Sequence, residues 1–197
     1  MDHIYPIFDT ILKRHHKEEL LNQKGKVIWM VGLSGSGKST LARATENTLH
    51  QQEKLTMLLD GDNLRTGVNN NLGFSEEDRR ENIRRAAEVA KLFAQCGVIT
   101  ICSLISPTHG IRQMAQEIIG DDLYFEVYID CPLEVCEQRD VKGLYAKARR
   151  GEIKDFTGIS SPFDPPEDPD LRLRTDQDTI EACHQKLVDK ILDVTSL

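Results

Sequence analysis

The run Gly32-Leu33-Ser34-Gly35-Ser36-Gly37-Lys38-Ser39 fits the spacing G-x-x-x-x-G-K-[ST]. Those residue types at that spacing suit the holding of a polyphosphate. Glycines let successive backbone N–H groups converge on phosphate oxygens, and a helix that starts behind them adds a favourable field. Lys38 then reaches the β- and γ-phosphates and Ser39 offers its hydroxyl to Mg²⁺. The stretch from Gly32 to Thr40 is therefore read as a site for ATP.

A second group of chemically capable residues follows. Asp60-Gly61-Asp62 ends an apolar run, which places two carboxylates at the edge of a sheet where ligands of open α/β folds bind. One carboxylate is suited to a water-mediated Mg²⁺ contact, and the other to orienting an attacking hydroxyl or taking its proton. An Asp-Gly-Asp turn is also a common loop element by itself. Projected at helical spacing, residues 76–95 put Ile83, Ala86, Ala87, Ala90, Phe93 and Ala94 on one stripe, which Arg79 and Asn82 extend. Arg80, Arg84, Glu88 and Lys91 point away. A guanidinium and an amide on an inward face need partners, either an anionic substrate or an internal carboxylate such as Asp60 or Asp62. Arg65 has the same two readings.

These groups require a scaffold. Residues 26–31 (KVIWMV) read as a buried strand running into the glycine loop, and residues 38–51 as a helix. Residues 55–59, 98–103 and 124–129 are further short apolar runs separated by helix-length segments, an alternation that predicts a parallel sheet covered on both faces. Residues 3–23 look like a polar, lysine-bearing helical extension. After Leu144 the chain turns basic, then irregular over residues 151–169, before a last helix over about residues 177–194. The irregular stretch suits a lid and substrate loop.

A length of 197 residues fits one α/β domain, and a composition 39% hydrophobic and 29% charged is that of a globular chain. The net charge of -7 argues against a nucleic-acid polymer or an anionic membrane as partner, so any phosphate site must be built locally. Cys96, Cys102, Cys131, Cys136 and Cys183 form neither a CxxC pair nor a zinc array and read as buried free thiols. With no membrane-length apolar run and no signal peptide at its start, the chain is expected in the reducing cytoplasm.

Several motifs recur together: residues 60–65 (DGDNLR), 71–75 (NLGFS), 79–82 (RREN), 105–107 (ISP), 140–145 (DVKGLY), 148–149 (AR) and 156–162 (FTGISSP). In this order, over about residues 25–175, they resemble the signature of the adenylylsulfate kinases. The resemblance implies a three-layer α/β P-loop kinase fold with a mostly parallel sheet and a lid. It implies a kinase domain, taken as residues 25–197 behind the helical extension of residues 1–24, with ATP and adenosine 5′-phosphosulfate as partners, Mg²⁺ as cofactor, and a homodimer. It implies that Arg65, Arg79 and Asn82 grip the phosphosulfate, that Phe74 and Phe163 sandwich the substrate adenine, and that Ile105, Ser106 and Leu144 line the substrate site. Asp62 would serve the 3′-hydroxyl, while Asp60 with Ser39 would hold Mg²⁺. In the lid, Lys142 would contact phosphate and Arg139 would stack on the ATP adenine.

Ser106 matches the serine assigned in that family as a phosphoserine intermediate. Its own surroundings in sequence offer no base except His109, and P-loop enzymes achieve transfer mainly by positioning and charge neutralisation, so Ser106 is expected to line the pocket through its backbone. The chain departs from the family after Ser-Pro, with Thr108-His109-Gly110 where an aromatic residue and an arginine are usual. Two rival readings are a P-loop kinase for another acceptor and a GTPase-like switch. The phosphosulfate motifs count against the first, and the missing N-K-x-D against the second.

Overall fold

The computed structural model describes residues 3–7 and 9–197. Strand β1 (Lys26–Val31) is apolar at five successive positions, so both of its faces must be covered. Val27, Trp29 and Val31 enter one core cluster, while Ile28 and Met30 enter another, and all five are fully buried. β1 lies between β3 (Ile99–Ser103) and β4 (Tyr124–Asp130), with β2 (Thr56–Asp60) and β5 (Leu171–Arg174) at the edges. The order is β2-β3-β1-β4-β5, and every neighbouring pair is parallel.

Helices cover both faces. On one, α4 (Glu76–Gln95) and α5 (His109–Ile119) bury Ile83, Ala86, Ala90, Ile111 and Ala115 against Trp29. On the other, α2 (Lys38–Gln51) and α8 (Ile180–Thr195) bury Leu41, Leu49, Leu187 and Ile191 against Ile28 and Met30. The short helices α3 (Gly61–Thr66), α6 (Leu133–Arg139) and α7 (Leu144–Arg149) follow the carboxyl end of β2 and β4 and frame the glycine loop. The expected α/β layering is therefore present, and α4 has the bounds and the buried stripe that its periodicity predicts.

Two elements differ from expectation. The N-terminal helix is not residues 3–23 but only α1 (Arg14–Leu21); residue 8 lies outside the described residues. Pro6 disfavours helical backbone at the residue before it, and Asn22 closes the helix in a left-handed conformation at φ 48°. The end of this extension is stitched to the body, since Glu18 accepts from the Gly25 N–H at 2.9 Å and the buried Gln23 side chain bonds the backbone at Leu55 and Gly97. The second difference is β5, which falls between the irregular stretch and the last helix, where the sequence reading assigns no element. Its sequence LRLR carries no continuous apolar run because it is an edge strand, where only Leu173 is fully buried and Arg172 and Arg174 face the Asp130 carboxylate. Among the described residues no helix is long and apolar enough to cross a membrane.

Candidate active site

The carboxyl ends of β1 and β2 deliver the glycine loop and the paired carboxylates to the same edge. Gly35 and Gly37 sit at φ 76° and 105°, backbone that a side chain would strain, and a Cβ on Gly35 would lie 2.9 Å from the Cys136 carbonyl. The loop is held from outside: the Tyr145 hydroxyl donates to the Ser34 carbonyl at 2.9 Å and the Thr175 hydroxyl to the Ser36 carbonyl at 2.8 Å. Leu33 packs into a small cluster with Cys136 and Tyr145. The Ser36 hydroxyl is fully enclosed without a partner among the described residues. Thr40 is exposed in the first turn of α2.

The Lys38 ammonium is turned onto the loop itself, donating to the carbonyls of Gly32 at 2.8 Å and Leu33 at 2.7 Å. Burial pulls its pKa down from 10.5 to about 8. Ser39 donates its hydroxyl to Asp60 Oδ2 at 2.8 Å, and Asp60 Oδ1 accepts the Asp62 N–H at 3.0 Å, capping α3. Asp62 is exposed and ion-paired with Lys142, which stands just before α7. Arg139, the last residue of α6, donates to the Thr175 carbonyl at 2.6 Å and reaches the Gly35 carbonyl at 3.5 Å, which seats it on the rim of the loop.

The basic cluster expected for an anion is assembled around the turn between α3 and α4. Arg65 donates to the carbonyls of Leu72 and Gly73, and its guanidinium lies over the Phe74 ring, 4.3 Å from the centroid. Arg79 donates from Nε to the Phe74 carbonyl at 2.8 Å, to the Thr157 hydroxyl at 2.6 Å, and to the Asp155 carbonyl. Both guanidiniums are pushed below the ordinary arginine value, by burial first and, for Arg65, by the charge of Arg79 next to it. The expected internal partner, Asp60 or Asp62, is not the one Arg79 takes; its contacts are neutral oxygens. Asn82, one turn further along α4, is buried and its Oδ1 accepts from Asn69 Nδ2 at 2.9 Å.

The two phenylalanines are not in ring contact. Phe74 is 63% exposed, whereas Phe163 packs at 6.3 Å from Tyr128 and lines a cavity of about 490 Å³ with Leu33, Leu133, Gly158 and Ile159. Leu144 and Ile105 are half-buried, on α7 and in the loop after β3. Ser106 is 1% exposed at φ 47°; its hydroxyl accepts from the Trp29 indole N–H at 3.0 Å and its carbonyl from Arg112 at 3.2 Å. His109 is exposed, and its backbone N–H donates to Asp164 at 3.3 Å. The divergent loop is thus anchored through Arg112, which is buried beside Glu126 at 3.5 Å.

Comparison with known proteins decides the family. The family model described as adenylylsulphate kinase matches residues 24–174, which is most of the chain. The chain belongs to the adenylylsulphate kinase family. An adenylyl-sulfate kinase of Bacteroides fragilis is 59% identical over 191 residues, 97% of this chain and 95% of the relative. One from Clostridium acetobutylicum is 56% identical over 181 residues, 92% of this chain and 90% of the relative. The structure of the Mycobacterium tuberculosis APS kinase CysC in complex with AMPPNP and APS superposes with a TM-score of 0.82 at 48% identity, covering 86% of this chain and 98% of that one. As an adenylylsulphate kinase family member, the chain is an ATP-dependent kinase.

Sequence reasoning missed four supports of this family site. Tyr145 and Thr175 hold the glycine loop, Thr157 accepts from Arg79, and Asn69 donates to Asn82. Tyr145 lies within a recognised motif, but nothing in its spacing says that its hydroxyl turns back to the loop. Asn69 begins a run of three asparagines, and no periodicity tells which one is buried.

Proposed function

We propose that the chain transfers the γ-phosphoryl group of ATP to the 3′-hydroxyl of adenosine 5′-phosphosulfate, giving ADP and 3′-phosphoadenylylsulfate. The observation that carries this reading is the pair Arg65 and Arg79: two guanidiniums, each disfavoured by burial and close enough to repel, bonded to neutral oxygens. Such a pair is completed by an anion that both can grip. It stands next to the nucleotide loop through Asp60 and Asp62, so a second polyanion would meet ATP end to end.

The loop from Gly32 to Thr40 holds the ATP phosphates, with Lys38 leaving its two carbonyls for the β/γ-oxygens. Asp62 orients the 3′-hydroxyl and receives its proton as the bond to phosphorus forms, releasing the Lys142 ammonium to the phosphate charge. Ser39 and Asp60 are the residues that would hold Mg²⁺. A hydroxyl and one carboxylate in contact fit an ion that keeps waters and shares substrate phosphates, and the ion would neutralise developing charge there. Phe163 with Leu33 and Leu133 gives one apolar wall to a cavity that Ser160 and Ser161 also line, a mixed lining suited to a purine, and Phe74, stacked under Arg65, supplies the opposing ring once the ligand is seated. Ile105 and Leu144 border that site, and Arg139 packs the ATP base on the loop rim. Ser106 serves by its backbone, since its hydroxyl is enclosed against Trp29.

We read the protein as a homodimer of the cytoplasm that serves sulfate assimilation. The apolar Ile4, Tyr5, Ile7, Leu12 and Leu20 are exposed around the N-terminal segment and offer contact area for a second copy. Cys96 and the buried Cys102, Cys131, Cys136 and Cys183 are all free thiols, which suits a reducing compartment. The deciding experiment is ADP release measured with ATP and a panel of acceptors. Adenosine 5′-phosphosulfate should stimulate release well above adenosine 5′-monophosphate. Stimulation by another acceptor and none by the phosphosulfate would overturn the assignment.

A further inference from the structure

We infer that Asn69 is a positioning residue: it fixes the carboxamide of Asn82 so that its NH₂ end faces the anionic group of the acceptor. The inference rests on reading Arg65, Arg79 and Asn82 as the acceptor site, and adds how the third member is held.

The orientation follows from one atom that cannot be reversed. Asn69 places its amide nitrogen 3.4 Å from the backbone carbonyl of Asn82 and 2.9 Å from the side-chain oxygen of the same residue. A backbone carbonyl only accepts, so the Asn69 atom facing it must be the NH₂, and the Asn82 atom facing that NH₂ must in turn be an oxygen. The Asn82 nitrogen is therefore the free end. It has no partner among the described residues, yet it is not among the fully enclosed polar atoms, so it reaches the surface on the α4 face it shares with Arg79 at i−3. A donor so placed complements an oxyanion; with the amide reversed, the same position would present a repelling oxygen.

Asn69 gives up something for this. It is fully buried, and its own Oδ1 has no partner. An apolar side chain would fill the position without a stranded carbonyl, so the donor end is the part the site uses. Its backbone is fixed independently, with the Asn69 N–H donating to the Leu64 carbonyl at 2.9 Å and its carbonyl accepting from Leu72 at 3.1 Å, so the side chain is not needed to close the turn.

The test is steady-state kinetics of the full chain with ATP and adenosine 5′-phosphosulfate. Wild type must first turn over the phosphosulfate; if it does not, the functional assignment fails before this inference is reached. Asn69→Ala should then raise KM for the phosphosulfate by about tenfold to a hundredfold, the worth of a hydrogen bond to a charged group, while KM for ATP stays within about twofold. Asn69→Asp, which can only accept and so attracts the Asn82 NH₂ inward, should do at least as much damage. In an Asn82→Ala background Asn69→Ala should change KM for the phosphosulfate by less than about twofold, because the group it acts through is gone. A KM for the phosphosulfate close to wild type in Asn69→Ala overturns the inference, as does full additivity with Asn82→Ala or an equal loss for both substrates, each of which marks a merely structural role.

Discussion

Replacing Ser106 by alanine separates two roles for its hydroxyl. If the hydroxyl carries the phosphoryl group, its removal should lower turnover by about a thousandfold or more. The structure supports the other role. Ser106 Oγ is the acceptor 3.0 Å from the indole N–H of Trp29, and both residues are almost fully buried. Alanine keeps the φ 47° backbone under the same strain and removes only the acceptor. The Trp29 N–H is then stranded away from water, at a cost of about 1–3 kcal/mol. For a domain of this size that lowers Tm by about 3–10 °C. The expected outcome is lowered stability by thermal unfolding with kcat for ADP release within about threefold of wild type. In a Trp29→Phe background there is no N–H to strand, and the same substitution should cost less than about 1 kcal/mol. An unchanged Tm with turnover down a thousandfold, or a phosphorylated Ser106 peptide trapped during turnover, would refute the reasoning.

Arg79→Lys should raise KM for the phosphosulfate by about tenfold or more and leave KM for ATP nearly unchanged, because an ammonium cannot donate in the three directions that the guanidinium uses; isothermal titration with each nucleotide separates the two effects. Lys38, whose pKa burial lowers to about 8, should give kcat/KM for ATP a falling limb as pH rises through about 8, whereas kcat, set in the complex where phosphate charge retains the proton, stays level further up. The stability effect has the opposite sign: the unfolded chain holds this proton up to the ordinary lysine value of 10.5, so between about 8 and 10.5 the unfolded state binds more protons and stability rises with pH. Lys38→Met should abolish the rise in urea-unfolding free energy across that window.

Much of this arrangement is legible in residue patterns. Strand β1 and helix α4 are strong because each combines a continuous or periodic apolar face with its signal for starting or stopping: the glycine loop after Val31, and Ser75 capping α4 by accepting from the Asp78 N–H. Elements whose apolar content is small are not legible. β5 has two leucines and two arginines, and its existence depends on an unpaired edge of β4. The N-terminal helix is over-read because polar residues at helical spacing also fit a segment held by contacts with the body. At the site, the phosphate loop is read from local backbone needs, which sequence carries. Supports such as Tyr145 and Asn69 act across 111 and 13 residues, and a long-range hydrogen bond leaves no mark in spacing.

The grip of Arg79 on residues 155–157 has a consequence for how an acceptor would be read. The same guanidinium that would meet the anion also braces the segment leading directly into Gly158, Ile159 and Phe163, which line the cavity suited to a purine. The two ends of a substrate would then be felt through one side chain. Dissecting the acceptor into an anionic half and a purine half should yield fragment affinities whose free energies fail to sum to that of the whole molecule.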